Sequence, residues 1–181
     1  PAGERLQLEA RLQSIDDNGS RAVIANHLVT GTASAPRAVE SWMYAVVPLQ
    51  KGGSGKERPT VPAQAREIAR WRLKPSDAVD FAVLTGDFNP VHWLRPYARA
   101  AGFKSTILHG FATLGRAIEG LNRVRFAGEV SRLRTIDVKF VRPVVLPAEV
   151  ALFVSDHTVH VGTAPGGPAF LTGTFEERDD G

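Results

Sequence analysis

The sequence of 181 residues contains no cysteine, and it has no long apolar run. Without thiols there can be no disulfide, zinc–thiolate site, iron–sulfur cluster or thiol nucleophile. No segment approaches the roughly 18 consecutive apolar residues of a membrane span, and the first ten residues, PAGERLQLEA, lack the apolar core of a signal peptide. We therefore expect a cytoplasmic protein with no membrane partner.

Positive charge is in small excess, and the excess is local. The formal net charge is +3, and the isoelectric point is about 9.6. Residues 51–74 hold seven basic and two acidic residues, a balance of +5, whereas residues 1–50 and 75–181 each carry −1. Because one short segment carries the whole excess, a nucleic-acid-binding face is not indicated, and no nucleic-acid partner is expected.

The remaining composition is that of a globular protein, and it changes along the chain. Hydrophobic residues make up 43% and charged residues 23%, which is enough apolar material for a core. Residues 51–66, KGGSGKERPTVPAQAR, are rich in Gly, Pro and charge and are predicted to form a linker. This linker would separate a short front part, residues 1–50, from a complete domain over residues 67–181.

The front part predicts β-strands. Apolar and polar residues alternate over residues 6–12, which predicts a half-buried strand, and DDNG at 16–19 predicts a tight turn. Two further apolar, β-branched stretches cover residues 21–30 and 39–48. Three strands without a covering layer do not make a complete domain.

The second part predicts helices followed by strands. Strands are expected over 67–73, 132–141, 149–160 and 169–176, with a helix from Pro75 and a short helix over 96–101. Between them lies one long helix, predicted from an apolar stripe at Ile107, Phe111, Leu114, Ile118 and Leu121.

This long helix carries glycines at an unusual density. We expect Ser105 or Thr106 to cap it, which would place His109 and Gly110 in its first turn. Gly110, Gly115 and Gly120 would each cost about 1 kcal/mol relative to alanine inside a helix. Three such residues predict that the helix backbone closely approaches another part of the protein or a ligand.

The segment 84–92, LTGDFNPVH, holds the residues best suited to chemistry. Gly86 can end the preceding helix in a left-handed conformation, and Pro90 stiffens the loop. The loop thereby holds a carboxylate, Asp87, and an imidazole, His92, which are groups able to activate a shared water. The residues alone also allow a simpler interpretation, an Asx-Pro turn beside a surface histidine.

The start of the long helix offers a second candidate feature. Backbone N–H groups in a first turn have no acceptor within the helix, and they lie at the positive end of its dipole. Gly110 has no side chain, so a ligand carbonyl can approach its N–H as in an oxyanion hole. The residues alone equally allow a packing role for Gly110.

Together these segments resemble a known family. LTGDFNPVH, AAGF at 100–103, ILHGF at 107–111 and VKFVRPV at 138–144 resemble the MaoC-like (R)-specific enoyl-CoA hydratases and dehydratases, over about residues 67–178. The resemblance implies an α+β hot-dog fold, a long central helix wrapped by a curved antiparallel sheet. It also implies a relation to two-repeat (double hot dog) members, so residues 1–50 are interpreted as the strands of a partial, degenerate hot dog.

The same resemblance implies a set of site residues. Asp87 and His92 fall on the family's catalytic pair, and Gly110 falls on its oxyanion donor. Asn89 is expected to support the loop, and Trp93 and Phe111 are expected to bind substrate. No metal is expected, at Asp156, His157 and His160 or elsewhere, and no redox cofactor, because the thioester of coenzyme A or of an acyl carrier supplies the activation.

The expected activity is the interconversion of trans-2-enoyl and (R)-3-hydroxyacyl thioesters. A hot-dog thioesterase and a non-catalytic acyl-binding or assembly subunit are the alternatives. Hot dogs pair through their sheets, so we expect a homodimer or a pairing with another hot-dog chain. Arg95, Arg99, Lys139 and Arg142 are candidate contacts for the phosphates of coenzyme A.

Overall fold

The computed structural model describes residues 3–50 and 58–178, and the chain divides into two compact units, Pro1–Lys56 and Glu57–Gly181. The predicted linker lies partly outside the described residues, at 51–57. Its remainder is not a linker, because Val61 and Ala65 are buried and pack with Phe153. Because this stretch is rich in proline and charge, its composition did not reveal Val61 and Ala65 as core residues of the second unit.

The first unit is a three-stranded antiparallel sheet. Its strands are β1 (Gln7–Asp17), β2 (Arg21–Gly31) and β3 (Val39–Pro48), in the order β1-β2-β3. The predicted strands and turn are confirmed, but the predicted half-burial of β1 is wrong. Leu8 and Leu12 are 63% and 59% exposed, because the described residues 3–50 contain no helix to cover them.

The second unit combines helices with a five-stranded sheet. The strands are β4 (Arg66–Leu73), β5 (Leu133–Phe140), β6 (Ala148–Ser155), β7 (Thr158–Gly162) and β8 (Ala169–Glu177), all antiparallel, in the order β4-β6-β7-β8-β5. The helices are α1 (Pro75–Thr85), α2 (Arg95–Ala100) and α3 (Gly110–Val124), with single 3₁₀ turns at Pro90–His92 and Val130–Arg132. None of the helices in the described ranges has both the length and the apolar character that crossing a bilayer requires.

The strand predicted over 149–160 is two strands. β6 ends at Ser155 and β7 begins at Thr158, and Asp156 turns the chain with a φ of +50°. His157 therefore lies in the turn rather than on one strand with His160. The turn itself contains no Gly or Pro, and its local signal was the pair of common turn residues Ser155 and Asp156.

The predicted start of α3 is wrong by three or four residues. Neither Ser105 nor Thr106 caps the helix, whose N-cap is His109. The carbonyl of Thr106 instead accepts a hydrogen bond from the Leu146 N–H, and Ile107 forms an isolated bridge with Val145. The apolar periodicity continues upstream of the helix because Ile107, in an extended segment bonded to residues 144–146 just before β6, falls on the same spacing.

Helix α3 packs on the sheet through small residues. Ala112, Ala117, Gly120 and Leu121 are buried, and the sheet residues Val150, Leu152, Val159, Val161, Leu171 and Phe175 share one core with α3. A Cβ on Gly120 would lie 2.7 Å from Leu152 Cδ2, so a close approach is confirmed there. At Gly115 the expectation is wrong, because nothing lies within 4 Å of the corresponding position.

Much of the basic segment also belongs to the second unit. Arg70 on β4 pairs with Glu67 at 2.5 Å and with Glu149 on β6 at 3.0 Å, and Arg72 lies 3.3 Å from the same Glu149 carboxylate. The local charge excess is thus partly neutralised across a strand pair. It is not the charge of a linker alone.

Candidate active site

The loop after α1 is held by its own hydrogen bonds. Gly86 ends α1 in the left-handed conformation, with a φ of 78°, as the sequence predicted. Asn89 then donates its backbone N–H to Asp87 Oδ1 (3.2 Å), and its side-chain oxygen accepts the N–H of Val91 (3.2 Å). Asn89 thereby caps the 3₁₀ turn at Pro90–His92 and fixes the carboxylate end of the loop to the imidazole end.

His92 is oriented by the segment that leads into α3. Its Nδ1 lies 2.8 Å from the carbonyl oxygen of Ile107, and the N–H of Ile107 returns to the carbonyl of Val91 at 3.3 Å. A carbonyl only accepts, so Nδ1 carries the hydrogen and the neutral ring keeps a lone pair on Nε2. Such a lone pair is what a general base requires.

Burial lowers the pKa of His92 below its usual value of 6.5, and the positive charge of a protonated His109 would lower it further. The bond to Ile107 and the Asp87 carboxylate act in the opposite direction but do not cancel the effect of burial. At pH 7 the imidazole is therefore neutral and able to accept a proton.

Gly110 is the first residue of α3, so its N–H has no acceptor within the helix. It lines the same groove as His92. A Cβ at this position would lie 3.2 Å from the ring of Phe140, so a larger residue here would require that ring to shift by a few tenths of an ångström. The position is the predicted one, although the helix begins later than predicted.

An apolar groove of about 400 Å³ runs beside this helix start. Phe111, Phe140, Val144 and Phe170 line it together with His92 and Gly110. The rings of Phe111 and Phe140 meet edge to face with centroids 5.7 Å apart, so two aromatic side chains form one wall. The groove lining is mainly apolar, so it can take an apolar chain.

Three of the expected site residues, Asp87, Asn89 and Trp93, are not part of the groove lining. The Asp87 carboxylate is 55% exposed and sits in the loop beside His92 and His109. Trp93 donates its indole Nε1–H to the carbonyl of Phe88 at 3.0 Å, so it braces the loop. Contact between Trp93 and an acyl chain stays a prediction.

His109 is the residue of this site whose contacts the sequence did not reveal. Its side chain is 3% exposed and its ring stacks on His92, with centroids 3.5 Å apart. Its Nε2 lies 3.0 Å from the backbone carbonyl of Asp87 and 3.8 Å from the Asp87 carboxylate. The position next to Gly110 was a signal, but the contact with a loop 22 residues away was not readable from the pattern.

The three titratable side chains are compact enough to test against a metal ion. One donor atom each from Asp87, His92 and His109 lies within 4.8 Å of the others. Tetrahedral zinc holds its donors about 3.3 Å apart at its usual bond lengths. Since His109 Nε2 already donates to a carbonyl, the cluster fits a hydrogen-bonded water better than a metal, and the expectation of no metal stays a prediction.

Arg142 lines the groove, but its guanidinium is engaged in hydrogen bonds to backbone carbonyls of the protein. Its guanidinium donates to the carbonyls of Ala169 (2.8 Å), Arg58 (3.1 Å) and Pro59. It therefore ties the segment before β4 to the start of β8. Of the four cations considered for coenzyme A phosphates, Arg142 is the least free to make that contact.

A long helix on a five-stranded antiparallel sheet, with an Asp/His loop beside the helix start, defines a hot-dog domain of the α+β class. The sequence profile of the family described as MaoC-like domain matches residues 54–164, more than half of the chain. The chain belongs to the MaoC-like family.

Known proteins resemble the chain beyond this domain. It is 27% identical over 154 residues to enoyl-CoA hydratase 2, peroxisomal, of Arabidopsis thaliana, which covers 83% of this chain and 48% of that protein. The chain thus spans about half of the length of this relative. Two solved structures share its fold: a MaoC-like dehydratase from Phytophthora capsici (TM-score 0.75, 21% identity, 97% of this chain, 63% of that one) and peroxisomal multifunctional enzyme type 2 of Drosophila melanogaster (TM-score 0.73, 22% identity, 96% and 34%).

These likenesses cover nearly the whole chain, so the three-stranded unit is included in them. They confirm the predicted hot-dog fold and agree with the predicted relation to two-repeat members of the family. The assignment of residues 1–50 to a degenerate repeat stays a prediction.

Proposed function

We propose that the chain catalyses the reversible hydration of trans-2-enoyl thioesters to (R)-3-hydroxyacyl thioesters. One observation carries the proposal: a neutral imidazole, His92, and the first N–H of α3, at Gly110, line one apolar groove, and the Asp87 carboxylate lies beside His92. Membership of the MaoC-like family and the name of the Arabidopsis relative support the same class of reaction.

The proposed chemistry follows from the roles these groups can take. Asp87 and His92 hold one water, and His92 Nε2 accepts its proton as the water oxygen bonds to C3. The electron pair of the C2–C3 double bond moves toward the thioester oxygen, and the Gly110 N–H donates to the developing enolate. The proton then passes to C2, so that one water is consumed and H and OH are added across the double bond.

No metal or redox cofactor takes part in the proposed reaction. The thioester carbonyl, conjugated with the double bond, makes C3 electrophilic, and its oxygen receives the charge that Gly110 stabilises. Coenzyme A or an acyl carrier enters as part of the substrate. Phe111 and Phe140 would hold the acyl chain, and Asn89 would keep the loop in place.

The test is turnover of crotonyl-CoA by the purified chain, followed by loss of the enoyl absorbance with free thiol measured in parallel. Asp87→Asn and His92→Ala are expected to lower the rate by about 10²–10⁴ fold, the usual contribution of general acid–base catalysis. Asp137→Asn and His157→Ala are the matched controls, because both side chains are exposed and lie outside the site.

Each outcome of this assay has one meaning. Loss of absorbance that depends on Asp87 and His92 supports the hydratase. Thiol release instead would identify a thioesterase, and silence with crotonyl-CoA and with longer enoyl-CoA substrates would favour an acyl-binding or assembly subunit.

We also propose that the chain works as paired hot dogs, as a homodimer or with another hot-dog chain. The edge strands β4 and β5 of the five-stranded sheet each have one side without a partner strand in the described chain, which supports pairing. A mass measurement of the purified chain in solution tests the homodimer, and a purely monomeric chain would leave only the pairing with another hot-dog chain. The expected cytoplasmic location stays a prediction, and the Arabidopsis relative is named as peroxisomal.

A further inference from the structure

A buried imidazole lies at the centre of the site without a role in the proposed chemistry. His109 is the N-cap residue of α3 and is 3% exposed. One face of its ring stacks on His92 with an interplanar angle of 23°, and Phe81 lies on its ring at 4.9 Å between centroids. The ring is thus enclosed by aromatic neighbours.

Only one of the two ring nitrogens of His109 has a hydrogen-bond partner among the described residues. Nε2 lies 3.0 Å from the Asp87 carbonyl, which only accepts, so Nε2 carries the hydrogen. Nδ1 is buried and has no partner among the described residues. A buried polar atom without a partner destabilises the fold, whereas a phenylalanine ring would stack on His92 without that cost. The bond from Nε2 to Asp87 is therefore what distinguishes histidine from an apolar ring at this position.

The geometry points to His109 as a positioning residue, which holds the Asp87 loop in register with His92 and Gly110. It touches all three groups: Asp87 through a hydrogen bond, His92 through ring stacking, and Gly110 through the peptide bond. The loop after α1 and the segment leading into α3 are also joined by the hydrogen bonds of Ile107 with His92 and with Val91. This inference rests on the proposed function, since it assumes that Asp87 and His92 must reach the same water.

His109 also acts on the charge of its neighbour. Two titratable groups face His92, Asp87 from the loop after α1 and His109 from the start of α3. With ring centroids 3.5 Å apart, two imidazolium ions would repel each other, so a protonated His109 opposes protonation of His92. Removal of His109 is therefore expected to raise the pH at which His92 titrates.

Two variants separate the two effects. His109→Phe keeps an aromatic ring for stacking and removes the donor to Asp87. His109→Gln removes the ring but places an amide N–H at a similar reach. We expect His109→Phe to lower kcat for crotonyl-CoA by about 10–100 fold with KM changed by less than about threefold, and His109→Gln to recover most of the loss.

Both variants remove the ionisable ring, so both are expected to move the acid limb of the kcat/KM profile to higher pH. Phe81→Leu is the matched control, because Phe81 touches the same ring without bonding to the loop. It is expected to lower stability and to leave the pH profile unchanged.

A second readout does not depend on turnover. Nitrogen-15 NMR of the histidine rings reports the tautomer and the titration midpoint of His92 in the wild type and in the variants. An inactive wild type in which His109→Phe raises the His92 midpoint would contradict the proposed function and would still support the action of His109 on His92. An active wild type whose His109→Phe variant keeps its kcat, pH profile and His92 midpoint would refute the positioning. A loss of kcat that glutamine does not recover, with no change in the pH profile, would mean that His109 only packs, which also refutes it.

Discussion

Two glycines of α3 predict opposite effects of the same substitution. Gly115 is exposed with open space around its missing Cβ, whereas Gly120 is buried with Leu152 Cδ2 at 2.7 Å. Alanine at either position gains about 1 kcal/mol of helix propensity. At Gly120 it also forces a methyl group into a packed core, which costs about 1–3 kcal/mol. Leu152 cannot swing away freely, because it is fully buried and the Trp71 ring and Ala69 Cβ lie 3.5 Å from the same position.

We expect Gly115→Ala to raise the free energy of unfolding by about 0.5–1 kcal/mol and Gly120→Ala to lower it by up to about 2 kcal/mol. The propensity gain is common to both, so the difference between the variants isolates the packing cost of about 1–3 kcal/mol. Urea unfolding measured by circular dichroism and by tryptophan fluorescence gives both values, provided that the two transitions coincide and m is unchanged. A Gly120→Ala variant as stable as Gly115→Ala would refute the close packing of α3 on the sheet.

Three further predictions concern the site and its support. The pKa of His92 is lowered, so its neutral form persists below pH 6.5. The midpoint of the acid limb of kcat/KM for hydration should therefore lie below pH 6.5, and a midpoint above 6.5 would contradict a neutral His92 base. Phe140→Ala opens the groove wall opposite Gly110, so kcat/KM should shift in favour of longer enoyl-CoA chains over crotonyl-CoA; an unchanged ratio would place the acyl chain elsewhere. Asp77 on α1 and Arg116 on α3 form a partly buried ion pair at 2.7 Å. A double-mutant cycle of Asp77→Asn and Arg116→Met, measured by urea unfolding, should give a coupling energy of about 0.5–1.5 kcal/mol. A coupling energy near zero would show that the pair does not link the two helices.

Features that depend on neighbouring residues were predictable from the sequence. Gly86 ends α1 because no Cβ opposes its left-handed φ, and Asn89 and Pro90 shape the loop through contacts within a few residues. The placement of Asp87 and His92 on one stiff loop follows from those local preferences. The prediction that Gly110 lies in the first turn of α3 is confirmed, although the predicted cap is wrong, and its role as an oxyanion donor stays a prediction.

Features that depend on distant residues were not predictable in the same way. Helix α3 begins at Gly110 because Thr106 and Leu108 are taken up by hydrogen bonds to the segment before β6, 36 to 40 residues away. His109 could be located beside the oxyanion position, but its bond to the Asp87 carbonyl exists only once α1 and α3 have packed. The groove likewise needs Phe140 from β5 and Phe170 from β8, which no periodicity brings together.

The segment before β4 is where the prediction from the sequence, a linker, differs most from the packed arrangement in the structure. One substitution distinguishes the two. Val61 is fully buried; its N–H donates to the Gly167 carbonyl at 2.9 Å, and its side chain packs with Phe153 on the sheet. Val61→Ala should therefore lower the free energy of unfolding by about 1–2 kcal/mol, as the loss of buried methyl groups does in a core. The exposed Gln64 is the matched control, and Gln64→Ala should stay within about 0.5 kcal/mol. If urea unfolding shows Val61→Ala to be as mild as Gln64→Ala, residues 58–65 behave as the linker that their composition suggests, and the packed arrangement is refuted.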